Sequence, residues 1–286
     1  MSADRKFPSK LLIAGEFTVL RGGDAIAIPF NTYSGKWKKL EHSDPLLYLF
    51  GEYLLQTDFI DGGRLIHDLT EGWQFKSDIP AGYGLGSSGA LTAAVYHHYR
   101  ISNSEVTEVI QSQLARMEDY FHGKSSGFDP LISYQNQAYA VLDRTLTPLA
   151  APYDPGDAGH LQLYLLDSGT LRGKINSIEW FYNELLHQNF SNQIRILTEY
   201  NRNLVQAWIQ GQTDKLAEWF RKISMLQLEY FQPLIAPSVL TLWAKGLDTQ
   251  EYFIKLCGKG GGGYYLLWKN GTINEPLTGL TKVWLT

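Results

Sequence analysis

The chain has 286 residues, of which 44% are hydrophobic and 19% are charged, and its formal net charge is −4 with a pI of about 6.0. This length allows one large domain or two modest ones, and the composition argues against disorder. A mildly acidic chain without a basic block is a poor candidate for nucleic-acid binding. The single cysteine, Cys257, excludes an internal disulfide and a cysteine metal cluster.

The N-terminal ten residues, MSADRKFPSK, carry charges but no apolar run, which is not typical of a signal peptide. No stretch reaches the ~18 apolar residues that a membrane span requires. We therefore expect a cytoplasmic protein, monomeric or homodimeric, with no membrane and no nucleic acid among its partners.

The first half of the chain is predicted to contain mostly strands before its helices. Two strands are expected within residues 10–20, on either side of a Gly15–Glu16 break. Ser104 is a plausible N-cap for one helix, and Gly123 lies just beyond its end. The other predicted elements are strands at 25–30, 64–69, 73–79 and 137–144 and helices at 87–100 and 104–122.

The second half is predicted to begin with a buried strand, continue with helices and end with two strands. Its elements are a strand at 161–167, helices at 175–210, 213–230 and 238–246, the last closed by Gly246, and strands at 251–257 and 263–269. The proline- and glycine-rich stretch 147–159 is the best candidate for a domain boundary, giving domains 1–155 and 156–286. The order of strands and helices favours an α+β fold.

A glycine-rich loop at 82–89 (GYGLGSSG) directly precedes a predicted helix. Glycines let backbone N–H groups converge on an anion, and a helix N-terminus adds unpaired donors and a favourable dipole. The loop lacks the Lys-Ser/Thr ending of a Walker A motif, and an ordinary strand-to-helix turn is the alternative. The predicted nucleotide-binding residues are Gly82, Gly84, Leu85, Gly86, Ser87, Ser88 and Gly89.

A second glycine run, Gly258–Gly263, separates the last two predicted strands. A hairpin needs only one or two glycines, so five predict a backbone that packs closely against a ligand or another loop. A flexible hairpin loop is the alternative. The residues expected to support the site here are Gly260, Gly261 and Gly262.

Four charged residues are candidates for chemistry. Glu118 and Asp129 could divide the work near a phosphate loop, one holding Mg²⁺ and the other accepting a proton. Lys10 could stabilise developing negative charge, and Glu16 follows the first strand. For each residue the alternative is an ordinary solvated charge. The histidines show no metal-binding spacing, and Cys257 is expected to be a buried apolar side chain.

Taken in order, these segments resemble the three motifs of the GHMP kinases. Residues 10–22 (KLLIAGEFTVLRG) resemble motif 1, residues 80–94 (PAGYGLGSSGALTAA) resemble motif 2, and residues 256–264 (LCGKGGGGY) resemble motif 3. Residues 126–129 (SGFD) are similar to the segment that carries the catalytic Asp in mevalonate kinases.

The resemblance implies a two-domain α+β fold, with an N-terminal domain like ribosomal protein S5 domain 2 and a ferredoxin-like C-terminal domain. It also implies an ATP- and Mg²⁺-dependent kinase for a small molecule. Residues 84–88 would wrap the triphosphate, and Ser88 and Glu118 would hold Mg²⁺. Asp129 would take the proton of the substrate hydroxyl, with Lys10 beside it.

The motifs leave the acceptor open. Phe17 stands where mevalonate kinases and galactokinases have His. An aromatic residue at this place is more similar to phosphomevalonate kinases, whereas Asp129 favours mevalonate kinase. A mevalonate-like alcohol is favoured. A phosphate acceptor is the alternative, which a basic patch including Lys36, Lys38, Lys39 or Arg172 would favour. A nucleotide-binding protein without catalysis and, more remotely, a diphosphomevalonate decarboxylase remain open. Lys259 is unusual in the third motif and could contact a phosphate.

Overall fold

A computed structural model describes residues 4–41, 44–149, 163–173, 175–273 and 277–283. The described residues form helices, strands and two short 3₁₀ turns, Thr18–Arg21 and Gln232–Leu234. The helices are α1 (Pro45–Leu54), α2 (Gly62–Thr70), α3 (Ser87–Tyr99), α4 (Thr107–His122), α5 (Phe128–Gln135), α6 (Ser177–Glu184), α7 (Gln188–Ile209), α8 (Thr213–Tyr230) and α9 (Pro237–Thr249). The strands are β1 (Phe7–Ala14), β2 (Ala25–Lys39), β3 (Trp73–Ser77), β4 (Tyr139–Leu142), β5 (Thr145–Pro148), β6 (Leu163–Asp167), β7 (Tyr252–Leu256), β8 (Tyr264–Lys269) and β9 (Leu280–Lys282).

The chain divides into two compact units, each assembled from separate segments, so that β1 and β2 contribute residues to both. The first unit comprises Met1–Lys10, Pro29–Ala81 and Leu85–Gln137, and the second comprises Leu11–Ile28, Gly82–Gly84 and Ala138–Thr286. The predicted boundary between residues 155 and 156 lies outside the described residues and stays a prediction.

The first unit is built around α3, which packs against α2, α4 and α5. Small residues on α3 allow this close approach. A Cβ atom built on Gly89, for example, would lie only 3.0 Å from the backbone nitrogen of Pro130 on α5. β3 pairs antiparallel with the end of β2, with Trp37 opposite Phe75. The buried Trp37 donates its indole N–H to the carbonyl of Ala94 on α3, at 3.3 Å.

The second unit contains an antiparallel sheet of order β7-β8-β6-β9. Helix α8 packs against β7 and α7, and α9 packs against β7 and α8. The buried Trp243 on α9 donates its indole N–H to Ser224 on α8 at 2.8 Å, which satisfies a polar group inside an apolar core. In the same unit, β4 pairs with β5 on one side and with the start of β2 on the other.

Most of the predicted elements are confirmed, including the helix that follows the glycine loop and both C-terminal strands. The mixed α and β composition of the predicted fold class is also confirmed, since helices and sheets occur in the same chain. In the part of the chain that the structure describes, no helix combines the length and apolarity that crossing a bilayer requires.

Four local predictions are wrong. Residues 64–69 form part of α2, because Asp61 caps that helix by accepting a hydrogen bond from the Arg64 backbone N–H, and Leu65 and Leu69 share its buried face. The second strand predicted within 10–20 is a 3₁₀ turn, since Gly15 and Phe17 take positive φ and turn the backbone.

The other two concern helix ends. Helix α9 continues past Gly246 to Thr249, because this glycine lets α9 lie directly against Tyr252 of β7. Ser104 is not the N-cap of α4, which begins one residue after Val106, although the Ser104 hydroxyl does accept a hydrogen bond from the Val106 N–H. Gly123 ends α4 as predicted.

Candidate functional site

The N-terminus of α3 follows directly from the glycine-rich loop. Gly86 precedes the helix with φ of 73°, in the left-handed region that favours glycine. A Cβ atom on Gly86 would also lie 2.9 Å from the Lys10 side chain, so that a larger residue would collide there. The backbone N–H of Lys10 donates to the carbonyl of Leu85 at 2.9 Å. The loop therefore brings Lys10 to the positive end of α3.

Lys10 and Asp129 form an ion pair in the first unit, with 2.9 Å between the Lys10 Nζ and the Asp129 Oδ2. Lys10 is buried at the end of that unit's part of β1, whereas Asp129 lies in the first turn of α5. The Asp129 side chain remains 35% exposed. The Asp129 carboxylate therefore contacts the ammonium group at the N-terminus of α5 and still faces solvent.

Ser88 and Glu118 face each other across α3 and α4. The Ser88 hydroxyl lies 3.4 Å from Glu118 Oε1 and 2.9 Å from His122 Nε2, while Ser125 donates to the other carboxylate oxygen. Burial, followed by the nearby charge of Asp129, raises the pKa of Glu118 to about 7. A buried carboxylate next to a second carboxylate is a favourable place for a cation.

The residues around Ser88 fit a magnesium ion, although the described residues include no group of three or more His, Cys, Asp or Glu placed to hold a metal. Mg²⁺ in nucleotide sites commonly takes only one or two protein oxygens and completes its shell with phosphates and water. A hydroxyl and a buried carboxylate, held together at a helix N-terminus, meet that requirement.

The glycine run of the third motif, within the second unit, packs against other backbone. The N–H of Gly261 donates to the carbonyl of Leu234, and its carbonyl accepts from the N–H of Gly173, both at 2.7 Å. A Cβ atom on Gly262 would lie 2.6 Å from the Leu171 carbonyl oxygen. The close packing at Gly262 agrees with the contact to another loop that the sequence predicts, although the run also connects two paired strands.

Arg172 approaches the glycine segments of the second unit. One guanidinium nitrogen lies 1.9 Å from where a Cβ atom on Gly84 would be, and it donates to the Cys257 carbonyl at 3.2 Å. Burial of the ammonium group, followed by the charge of Arg172, lowers the pKa of Lys259, even though the residue as a whole is exposed. Cys257 is buried, as predicted.

Glu16 and Lys255 form an ion pair in the second unit, and both side chains are fully buried. This pair joins the turn after β1 to β7, the strand that leads into the second glycine run. The Lys255 ammonium also donates to the Leu256 carbonyl at 3.1 Å. The same turn is held by the buried Asn201 on α7, which accepts from the Gly15 N–H at 3.2 Å and donates to Thr18 at 3.1 Å.

The predicted site residues fall into two groups. Those that the structure brings together within the first unit are Lys10, Leu85, Gly86, Ser87, Ser88, Gly89, Glu118 and Asp129. Those that belong to the second unit are Glu16, Gly82, Gly84, Gly260, Gly261 and Gly262.

Sequence reasoning missed His122, Ser125, Asn201 and Lys255. His122 follows Glu118 by one helical turn, so the spacing alone predicts that both side chains lie on the same face of α4. The partners of Asn201 and Lys255 are distant along the chain, and no local pattern indicates such contacts.

Comparison with known families matches residues 54–137 to the GHMP kinases N terminal domain. This region contains the glycine loop, Glu118 and Asp129, and the resemblance inferred from the motifs is confirmed there. Comparison with curated proteins finds no match for the chain.

Several solved structures of GHMP kinases share the fold of the chain at low sequence identity. A mevalonate kinase from L. major in complex with R-mevalonate is 14% identical, with a TM-score of 0.65 over 93% of this chain and 87% of that one. The phosphomevalonate kinase of Streptococcus pneumoniae is 17% identical, with a TM-score of 0.61 over 93% and 91%. A Lactococcus lactis galactokinase complexed with galactose is 12% identical, with a TM-score of 0.62 over 93% and 86%.

Proposed function

We propose that this chain, with a GHMP kinase N-terminal domain at residues 54–137 and the GHMP kinase fold, transfers the γ-phosphoryl group of ATP to the hydroxyl of a small molecule. GHMP kinases are ATP-dependent enzymes. The observation that carries the proposal is the ion pair of Lys10 and Asp129 beside Gly86, at the N-terminus of α3. An ion pair beside a helix N-terminus within one unit supports the proposal of a base next to a phosphate-binding site.

Phosphoryl transfer requires accurate positioning and charge neutralisation more than covalent participation by the protein. In this proposal, the exposed part of the Asp129 carboxylate accepts a hydrogen bond from the attacking hydroxyl and takes its proton. Lys10 holds the carboxylate in place and offsets the negative charge that develops between the attacking hydroxyl oxygen and the transferred phosphoryl group.

The phosphates of ATP would bind the backbone of the glycine-rich loop and the N-terminus of α3. The left-handed glycines at 82, 84 and 86 keep side chains out of the way, and the first N–H groups of α3 have no partner within their own helix. The proposed nucleotide-binding residues are Gly82, Gly84, Leu85, Gly86, Ser87, Ser88 and Gly89.

Ser88 and Glu118 would hold Mg²⁺, which when bound neutralises phosphate charge. Ser125 orients Glu118 through its hydroxyl, and His122 contacts the Ser88 hydroxyl. These two residues keep the metal-binding oxygens in position, in the manner of residues that surround metal ligands in other sites.

The acceptor we favour is a mevalonate-like alcohol. Both the L. major mevalonate kinase and the S. pneumoniae phosphomevalonate kinase share the fold, so the fold alone does not select between an alcohol and a phosphate acceptor. Asp129 favours the alcohol, since a phosphate acceptor is already ionised and needs no base.

The test is ATP consumption with Mg²⁺ against mevalonate, phosphomevalonate, homoserine and galactose. Stimulation by mevalonate is the expected result. Stimulation by phosphomevalonate alone would show that the acceptor group is a phosphate and not an alcohol hydroxyl. ATP binding without turnover for any acceptor, extended to a wider metabolite pool, would favour a nucleotide-binding protein that lacks catalysis.

The catalytic assignment is tested by Asp129→Asn, which removes the base but keeps the shape of the side chain. We expect kcat to fall about 100-fold or more, within the usual range for general-base catalysis. Asp58→Asn is the matched control, because Asp58 is 86% exposed and pairs only with Arg116 among the described salt bridges. Unchanged turnover in Asp129→Asn would remove Asp129 from the mechanism.

A further inference from the structure

Arg172 and Lys259 bring two positive charges to the glycine segments of the second unit. The Arg172 guanidinium lies against Gly84, and one of its nitrogens is 3.2 Å from where a Cβ atom on Gly258 would be. Lys259 is the next residue along the chain. The second glycine run, Gly258–Gly263, therefore carries a lysine next to the point where Arg172, from the segment after β6, approaches the backbone.

This arrangement has an energetic cost in the absence of an anion. Two cations close together repel each other, and partial loss of hydration adds to the cost. In the part of the chain that the structure describes, Lys259 forms no ion pair with a carboxylate. A bound anion would reverse the repulsion, because it would attract both groups at once.

The surrounding backbone also suits an anion. Gly84, Gly258 and Gly260 all have positive φ, and as glycines they present backbone without side chains, so that an anion can approach it closely. Arginine offers a planar pair of donors that matches a phosphate, and lysine adds a mobile charge. Both side chains belong to the same unit as these glycines.

We propose that Arg172 and Lys259, with the backbone at Gly84 and Gly258, form a binding site for a phosphate group. The source of the phosphate, either the nucleotide or a phosphorylated acceptor, rests on the proposed kinase function. The phosphate site itself does not, since binding requires no turnover.

Lys259 is the better residue for the test. Arg172 donates to the Cys257 carbonyl, so its removal would also disturb the loop, whereas Lys259 is exposed and belongs to no described hydrogen bond. The variants are Lys259→Ala, Lys259→Arg as the conservative replacement, and Lys215→Ala as a control on the exposed surface of α8.

Binding of inorganic phosphate and of ADP with Mg²⁺ is measured by calorimetry at two salt concentrations. We expect Lys259→Ala to raise the Kd of at least one probe about tenfold and to weaken its salt dependence, as loss of one charged contact predicts. Lys259→Arg should retain most of the affinity, and Lys215→Ala should equal the wild type. If Lys259→Ala binds both probes like the wild type, the site is wrong.

The pattern of losses identifies the source of the phosphate. Weaker ADP binding and a higher KM for ATP assign the site to the nucleotide. Weaker binding of inorganic phosphate, with ADP binding unchanged, assigns it to a phosphorylated acceptor. A further outcome is a wild-type protein that phosphorylates no acceptor, together with a Lys259→Ala variant that still binds phosphate more weakly than the wild type does. That result would overturn the proposed kinase function and would support this phosphate site.

Discussion

Glu118 illustrates the conflict between stability and function at the scale of one residue. Its folded-state pKa of about 7 is above the ordinary value of 4.5, so the folded protein binds an additional proton between these pH values. Stability is then greatest below this window and falls as pH rises through it. A buried, charged Glu118 costs on the order of 3 kcal/mol at pH 8, and Mg²⁺ would offset that cost.

Replacing Glu118 with Gln should therefore stabilise the metal-free protein at pH 8 and have little effect near pH 4.5. Comparison of wild-type and Glu118→Gln melting temperatures at both pH values isolates this group from others that titrate. The same variant should lose Mg²⁺-dependent turnover. An equal difference in melting temperature at both pH values would show that Glu118 keeps an ordinary pKa.

Lys259 should react unusually fast with amine-directed reagents. Its lowered pKa leaves more of the neutral, nucleophilic amine at a given pH than an ordinary surface lysine has. Limited acetylation at pH 8, followed by peptide mass analysis, should modify Lys259 before Lys215. Added phosphate should slow the reaction at Lys259 alone. Equal rates at the two lysines would argue against the environment described for Lys259.

At the scale of elements, α5 positions Asp129, and Gly127 sets the start of that helix. Gly127 has φ of 69°, and a Cβ atom there would lie 2.3 Å from the Gln111 carbonyl oxygen on α4. Gly127→Ala should therefore destabilise the protein by more than ~1 kcal/mol and reduce kcat by displacing Asp129. The matched control is Gly123→Ala, also at positive φ but with nothing within 4 Å of its Cβ position.

The two glycine variants are compared by thermal unfolding and by turnover. Both lose the conformational freedom of glycine, so the difference between them measures the collision with α4. Similar losses in both variants would mean that backbone strain alone accounts for the effect and that α5 adjusts around the added methyl group.

The buried pair of Glu16 and Lys255 connects the turn after β1 to β7. Lys255→Met should cost about 3–5 kcal/mol, because it leaves a buried carboxylate without its ammonium partner. The double variant Glu16→Gln/Lys255→Met should recover part of that loss. Denaturant unfolding of both single variants and the double variant gives the coupling energy. Additive losses would show that the two charges do not depend on each other.

The sequence indicates contacts made within short segments much better than contacts between distant ones. The glycine loop, the helix after it and the last two strands follow from composition and spacing. Helix α5 was missed because its eight residues begin with Phe-Asp-Pro after a left-handed glycine, which indicates a turn. The ion pair of Lys255 with Glu16 joins residues that are far apart in the chain, and only the fold brings them together.

At the scale of the whole molecule, the two units are assembled from interleaved segments. Residues 11–28 belong to the second unit although they precede most of the first. A fragment of residues 156–286 would therefore lack Glu16, Gly15 and Thr18. Lys255 and Asn201 are fully buried in the complete chain. Within such a fragment, Lys255 would lose its carboxylate partner Glu16, and Asn201 would lose its hydrogen bonds to Gly15 and Thr18.

Since unpaired buried polar groups are costly, we expect the 156–286 fragment to show no cooperative thermal transition on its own. The complete chain is the reference for circular dichroism and melting. Adding the 1–155 fragment in equal amount should restore a cooperative transition, because it supplies residues 11–28. A cooperative melt of 156–286 alone would instead establish a contiguous second domain, which the proline- and glycine-rich stretch at 147–159 predicts. The outcome decides whether the C-terminal half needs the segment after β1 to form a stable cooperative fold.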